Sequence, residues 1–120
     1  MNKEEFVEAF RARTKTFAVD VVKLFSSIPN HPALSVIRFQ IFKSATSTAA
    51  NYRAACRARS QAEFHAKMSI VVEEADETQF WLEVVESAGV FSGEELTRLQ
   101  NEALEIVKVC SKARSNAASE

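Results

Sequence analysis

Glycine and proline are scarce, with two of each in 120 residues. An all-β fold needs many more turn-forming residues than that, so long uninterrupted stretches are left that suit helices. Long apolar runs are also missing. Charged residues break every hydrophobic stretch before it reaches the roughly 18 residues that a membrane-spanning helix requires. The opening Met1-Asn2-Lys3-Glu4-Glu5 has no apolar segment leading to a small-residue cleavage site, so no secretory signal is expected and the expected location is cytoplasmic. Cysteine is limited to Cys56 and Cys110, with no Cys-x-x-Cys pair. Both fall in helical stretches where a small buried side chain fits, so they read as reduced packing residues rather than redox or catalytic thiols.

Signatures of chemistry are thin as well. Gly89 and Gly93 cannot form a phosphate-cradling loop of either common kind. Helical bundles that activate oxygen carry Glu-x-x-His pairs, but Ile28 stands three residues before His31 and Ala62 three before His65. Neither histidine has a Cys, Ser or Asp partner at a diagnostic spacing, and a capping or surface role is the better reading. The run Glu73-Glu74-Ala75-Asp76-Glu77 has the charge to attract a divalent ion, yet such a run is far more often a solvated or salt-bridged helix face. No enzyme, metal or cofactor is expected.

What is present is a hydrophobic content of 47%, enough for one core in one domain spanning residues 1–120. Phe10, Thr14, Phe17, Val21, Leu24 and Ile28 alternate at intervals of four and three, an a/d seam. Asn2 and Glu5 stand as a capping pair ahead of it. Pro32 suits the first position of a second helix, whose inward face is Leu34, Ile37, Ile41, Ala45, Thr48, Tyr52 and Ala55. Its middle, Ser44 to Ala50, has so little side-chain bulk that a neighbouring helix can approach closely.

Ser60 with Glu63 forms a capping box ahead of the seam Phe64, Met68, Val71, Ala75, Thr78, Leu82 and Val85. Gly89 offers a left-handed stop, and Ser92 with Glu95 reads as a second box before Leu96, Leu99, Ala103, Ile106, Cys110 and Ala113. The expected helices cover about residues 3–27, 33–58, 61–88 and 93–114, followed by a fraying tail from Ser115. Short connections join antiparallel neighbours, so the expected architecture is an all-α, antiparallel up-down-up-down four-helix bundle, nearly ~40 Å long.

Charge is sorted by segment, though the total is only −1. Residues 1–28 carry +1, residues 29–59 carry +5, residues 60–89 carry −6, and residues 90–120 carry −1. The second segment holds Arg38, Lys43, Arg53, Arg57 and Arg59 without one acidic residue. Three arrangements are open: helices two and three pair their charges within one subunit, a basic face meets the acidic face of the next subunit, or the basic stripe is left for phosphates. The single Trp81, at the edge of the third seam and close to Phe80, reads as a subunit-contact aromatic.

Two stretches carry a family resemblance: Gln40 to Ala55, with the pattern Q-x-x-[RK]-[SA]-[AG]-x-S-x-x-x-N-x-x-x-[AG], and Glu73 to Glu83. They resemble the bacterial four-helix proteins first noticed as products of intervening sequences within 23S ribosomal RNA genes. The resemblance implies a bundle that assembles as a ring of five subunits, without enzymatic activity or cofactor. The same fold serves the accessory variability proteins of diversity-generating retroelements, which are pentameric and basic and bind nucleic acid and a reverse transcriptase. This chain departs from them in its acidic third helix. The resemblance implies contact with RNA or an RNA-handling protein through Lys43, Arg53 and Arg57, to which charge alone adds Arg38 and Arg59. The subunit contact is expected at Tyr52, Arg53, Arg57, Glu73, Glu77 and Trp81. The alternative is a pure protein-interaction module whose charged helices serve only intra-bundle and inter-subunit pairing.

Overall fold

The computed structural model describes residues 1–118, and all regular structure among them is helical. The helices are α1 (Lys3–Ser27), α2 (Leu34–Cys56), α3 (Gln61–Ser87) and α4 (Glu94–Ala118). Among the described residues α1 packs on α2, α2 on α3, α3 on α4 and α4 back on α1, while the diagonal pairs do not meet. This is the up-down-up-down bundle, drawn out to 47 × 25 × 19 Å.

Local chemistry sets most helix ends. Asn2 Oδ1 accepts from the Glu5 amide and Asn2 Nδ2 donates to the Glu5 carboxylate, both at 2.8 Å, which satisfies two groups at the start of α1. Ser60 Oγ accepts from the Glu63 amide at 3.0 Å at the start of α3. Gly89, at φ +72°, ends α3: its amide donates to the Glu86 carbonyl and that of Val90 reaches back to Val85 at 3.0 Å.

Both ends of α2 and both ends of α4 differ from the expected ones. α2 begins at Leu34 rather than at Pro32 or Ala33, because His31 caps a tight preceding turn through Nδ1, which accepts from the Ala33 amide at 3.0 Å. It also stops at Cys56, two residues before the expected 58, where the Arg57 amide bonds to Ala54 and tightens the last turn. The Ser92–Glu95 box does not form: Gly93 leads into α4 with its carbonyl accepting from Thr97, and Glu95 turns instead to Arg98. α4 runs on to Ala118, so residues 115–118 are helical where fraying was expected; Ser119 and Glu120 lie outside the described residues.

Every predicted inward position of α2 is buried, joined by Ser44. On α1 the seam holds from Phe10 to Val21, then passes to Phe25, which is fully buried, while Leu24 is only half-buried. A strict seven-residue repeat drifts by about 20° per heptad on a straight helix, and by the fourth turn that drift moves the core to the next residue. Phe64 and Ala113, at the outer ends of their seams, are likewise half-buried.

Candidate assembly and nucleic-acid surface

The seam between α2 and α3 is built from small residues. Ser44, Ala45, Thr48, Ala75 and Thr78 are all fully buried there. Such close packing leaves hydroxyls that must find partners inside. Thr78 Oγ1 lies 2.8 Å from Ser44 Oγ across the helices and 2.8 Å from the Glu74 carbonyl, and Thr48 Oγ1 donates to the Ser44 carbonyl at 2.8 Å.

No ion pair among the described residues joins the body of α2 to α3. The one ion pair between their segments among the described residues is at the connection, where Arg59 approaches Glu63 at 3.8 Å with an almost fully exposed side chain. The cross-helix pairs lie elsewhere. Arg13 on α1 holds Glu102 on α4 through two bonds of 2.7 Å, and Arg98 on α4 binds both Glu95 and Asp20 on α1. These contacts raise the affinity of both arginines for their protons, and Arg98 lowers the Glu95 carboxyl below its usual range.

The five basic candidates of the second segment divide by environment. Arg38 is half-buried and its Nε donates to the Phe25 carbonyl at 2.6 Å. It places a cation at the C-terminal end of α1, whose own last turn has no basic residue. Lys43, Arg53, Arg57 and Arg59 are exposed, and the first three lie in no ion pair among the described residues.

Of the expected contact residues, Glu73 and Glu77 are exposed on α3 and Trp81 is half-buried against the core, its ring 5.3 Å from Phe80. Tyr52 belongs elsewhere. It is a core residue, 6% exposed, edge-on to Phe10 at 5.1 Å, because it falls on the same face of α2 as Thr48 and Ala55. Burial raises its hydroxyl pKa, and burial likewise pushes the Cys110 thiol up to about 12 and raises that of Cys56, so both thiols are protonated at neutral pH. Among the described residues no group of three or more His, Cys, Asp or Glu side chains is arranged to hold a metal ion, and no helix is long and apolar enough to cross a membrane.

A second seam lies on the outside. On α2 and its last turn Val36, Phe39, Lys43, Thr46, Ala50, Arg53 and Arg57 recur at alternating intervals of three and four, and all are exposed. The stripe is apolar at one end, small in the middle and basic at the other. On α3, Ala66, Ile70, Glu73, Glu77 and Phe80 follow the same rhythm and are exposed too. Phe39 is 66% exposed, Val36 62% and Phe80 54%, so the large apolar side chains of the two stripes are uncovered within the chain. With Ser44 opposite Thr78, Phe39 and Phe80 lie toward the same end of the bundle. Two buried polar atoms on α3, Glu74 Oε2 and Trp81 Nε1, have no hydrogen-bond partner among the described residues. The outer rhythm is present in the sequence, half a turn out of phase with the core seam.

A model of the 23S rRNA-intervening sequence protein family matches residues 10–112. The chain belongs to that family. It is also similar to a solved structure from Bacteroides thetaiotaomicron VPI-5482, described as a protein with unknown function from the S23 ribosomal protein family. The two share 31% identity at a TM-score of 0.82, over 91% of this chain and 97% of that one. Nothing among curated proteins matches. In this 23S rRNA-intervening sequence protein the distinctive α2 motif is chiefly a packing device. Ser44, Ala45 and Ala55 are its buried positions, and Asn51 Nδ2 donates to the Ser47 carbonyl and hydroxyl at 2.9 Å.

Proposed function

We propose that this protein is a non-enzymatic scaffold whose copies join through the outer stripes of α2 and α3 into a closed ring of five, and that the basic end of α2 contacts RNA. The carrying observation is that a +5 segment and a −6 segment lie side by side with one loose ion pair between them among the described residues, Arg59–Glu63 at their connection. Charges left unmatched within one copy are available to another, and a basic face meeting an acidic face on the next copy is a heterologous contact, which ends only by closing. Exposed Phe39, Val36 and Phe80 supply the apolar part of such a contact. Arg53, Arg57 and Arg59, at the far end from the aromatic residues, then remain for phosphate oxygens, with Lys43 nearer the contact.

Light scattering tests the assembly, and fluorescence anisotropy with a labelled structured RNA at two salt concentrations tests the binding. Five copies per particle and RNA affinity that falls steeply with salt are expected. Phe39→Glu should dissociate the particle. Arg53→Glu with Arg57→Glu should abolish RNA binding while the particle persists; loss of the particle with no RNA affinity in the parent protein would instead identify a module used only for protein contact.

A further inference from the structure

The two ends of the bundle are finished differently. At one end Phe25, Leu34, Val85 and Leu96 are fully buried and Phe91 packs over them. At the other, where α1 and α3 begin and α2 and α4 end, the four helices surround a cavity of about 670 Å³. Its size has a simple origin. Small residues, Ala55, Ala58, Ala113 and Ala117, line it where large ones close the opposite end, and the α1–α4 ion pairs at Arg13 and Arg98 hold only the middle of that seam.

The wall is mostly apolar, formed by Phe6, Phe64, Met68 and Val109. Phe6 is 47% exposed and Phe64 is half-buried although it lies on the core seam, so both rings have a face that the chain itself does not cover. Among the described residues the charged members of the lining are Lys3 and Arg59, with no aspartate or glutamate. Arg59 is held only loosely by Glu63 at 3.8 Å, so its guanidinium can turn to the mouth. Ser60 and Gln61, at the start of α3, add the positive end of that helix to the same rim.

From this combination we infer that the end cavity binds a free long-chain carboxylate, tail between the helices and head group against Lys3 and Arg59. A volume of this size is in the range of sites that enclose small organic ligands, with apolar walls and few polar groups fixing orientation. Two cations line the rim, with Glu63 only loosely engaged behind Arg59, and this favours a negative head over an ammonium or neutral one. The site is separate from the outer stripes of α2 and α3, so it stands whether or not the ring forms.

The test is calorimetric titration of the full chain with monomeric dodecanoate, supported by thermal unfolding with and without it. Saturable binding and a rise in Tm are expected, with dodecylamine and dodecyl maltoside binding at least about tenfold more weakly. Lys3→Glu should weaken dodecanoate by a similar factor. Ala113→Phe should fill the cavity and abolish binding while the protein stays folded, as checked by its helical circular dichroism; Val109→Phe provides a second filling variant should the first misfold. Equal binding of the amine, binding that survives both filling variants, or no binding at all would overturn the assignment. Association with phosphatidylglycerol vesicles in the absence of dodecanoate binding would overturn it too, pointing to a membrane surface instead.

Discussion

Between α1 and α4, charged side chains reach across the surface while the helices share the least extensive contact in the bundle. Between α2 and α3 the contact is extensive and tight, made by alanines and hydroxyls, and the charges stand apart from it. Exposed ion pairs are worth about 0.2–1 kcal/mol each, whereas disturbing a close-packed seam costs several times that. The first seam is therefore a pair of clasps on a thin contact. The second is an interior that leaves its outside free, and the proposed contact falls on the exposed stripes of α2 and α3.

The largest effect should come from crowding the tight seam. Ala75→Leu, at a fully buried position, is expected to lose about 2–3 kcal/mol in urea unfolding, because an added branched chain has no space to enter. A loss under ~0.5 kcal/mol would mean the helices part more easily than their packing indicates. Next is the hydroxyl pair. Thr78→Val alone should cost about 1–2 kcal/mol by leaving Ser44 Oγ without its neighbour, and adding Ser44→Ala should recover much of it. Strict additivity of the two changes would show that the hydroxyls do not interact.

The clasps should respond less and in a salt-dependent way. Arg13→Ala is expected to cost about 0.5–1 kcal/mol in low salt, part of it from the ring of Phe10 beneath the guanidinium, with the loss shrinking in high salt. Thr78→Val should show no such salt dependence.

The smallest expected effect concerns Glu74. Burial, reinforced by Glu77 and opposed by Lys43, holds its carboxyl above the usual range. The folded chain thus binds this proton more tightly than the unfolded chain, and stability falls as pH rises from the ordinary carboxylate value through the raised one. Glu74→Gln should raise Tm at neutral pH by about 2–4 °C, an advantage that fades below the ordinary carboxylate pKa. A pH-independent difference would place the effect in packing instead of charge.

Much of the fold was legible because a period is a local property. The α2 face from Leu34 to Ala55 and the Gly89 stop followed from residues within a few turns of each other. The seam failed at Leu24, where a repeat assumed exact met a helix that does not divide evenly by it. The candidate surface was less legible. Segment charges locate the basic helix, but whether Lys43 reaches an acid on α3 depends on the rotation of two helices, and that rotation is set by Ser44 and Thr78 approaching closely. Tyr52 shows the same limit in one residue: its type suits a contact surface, while its position on the wheel commits it to the core. The alanines around the end cavity fit the inward pattern as well as leucines would, so periodicity gives no sign of the space they leave.

The contact of Ser44 with Thr78 has a further consequence. Surfaces of alanine and threonine offer few distinguishing bumps, so an antiparallel hairpin made from them could slide by a turn, about 5.4 Å, with modest loss of apolar burial. After such a slip Ser44 would lose its place opposite Thr78, and that contact sets the phase of one helix against the other. Because Phe39 and Phe80 ride on the outside of those same helices, their relative height is fixed by a bond neither of them touches. A polar detail in the interior thus acts as the ruler for the exterior.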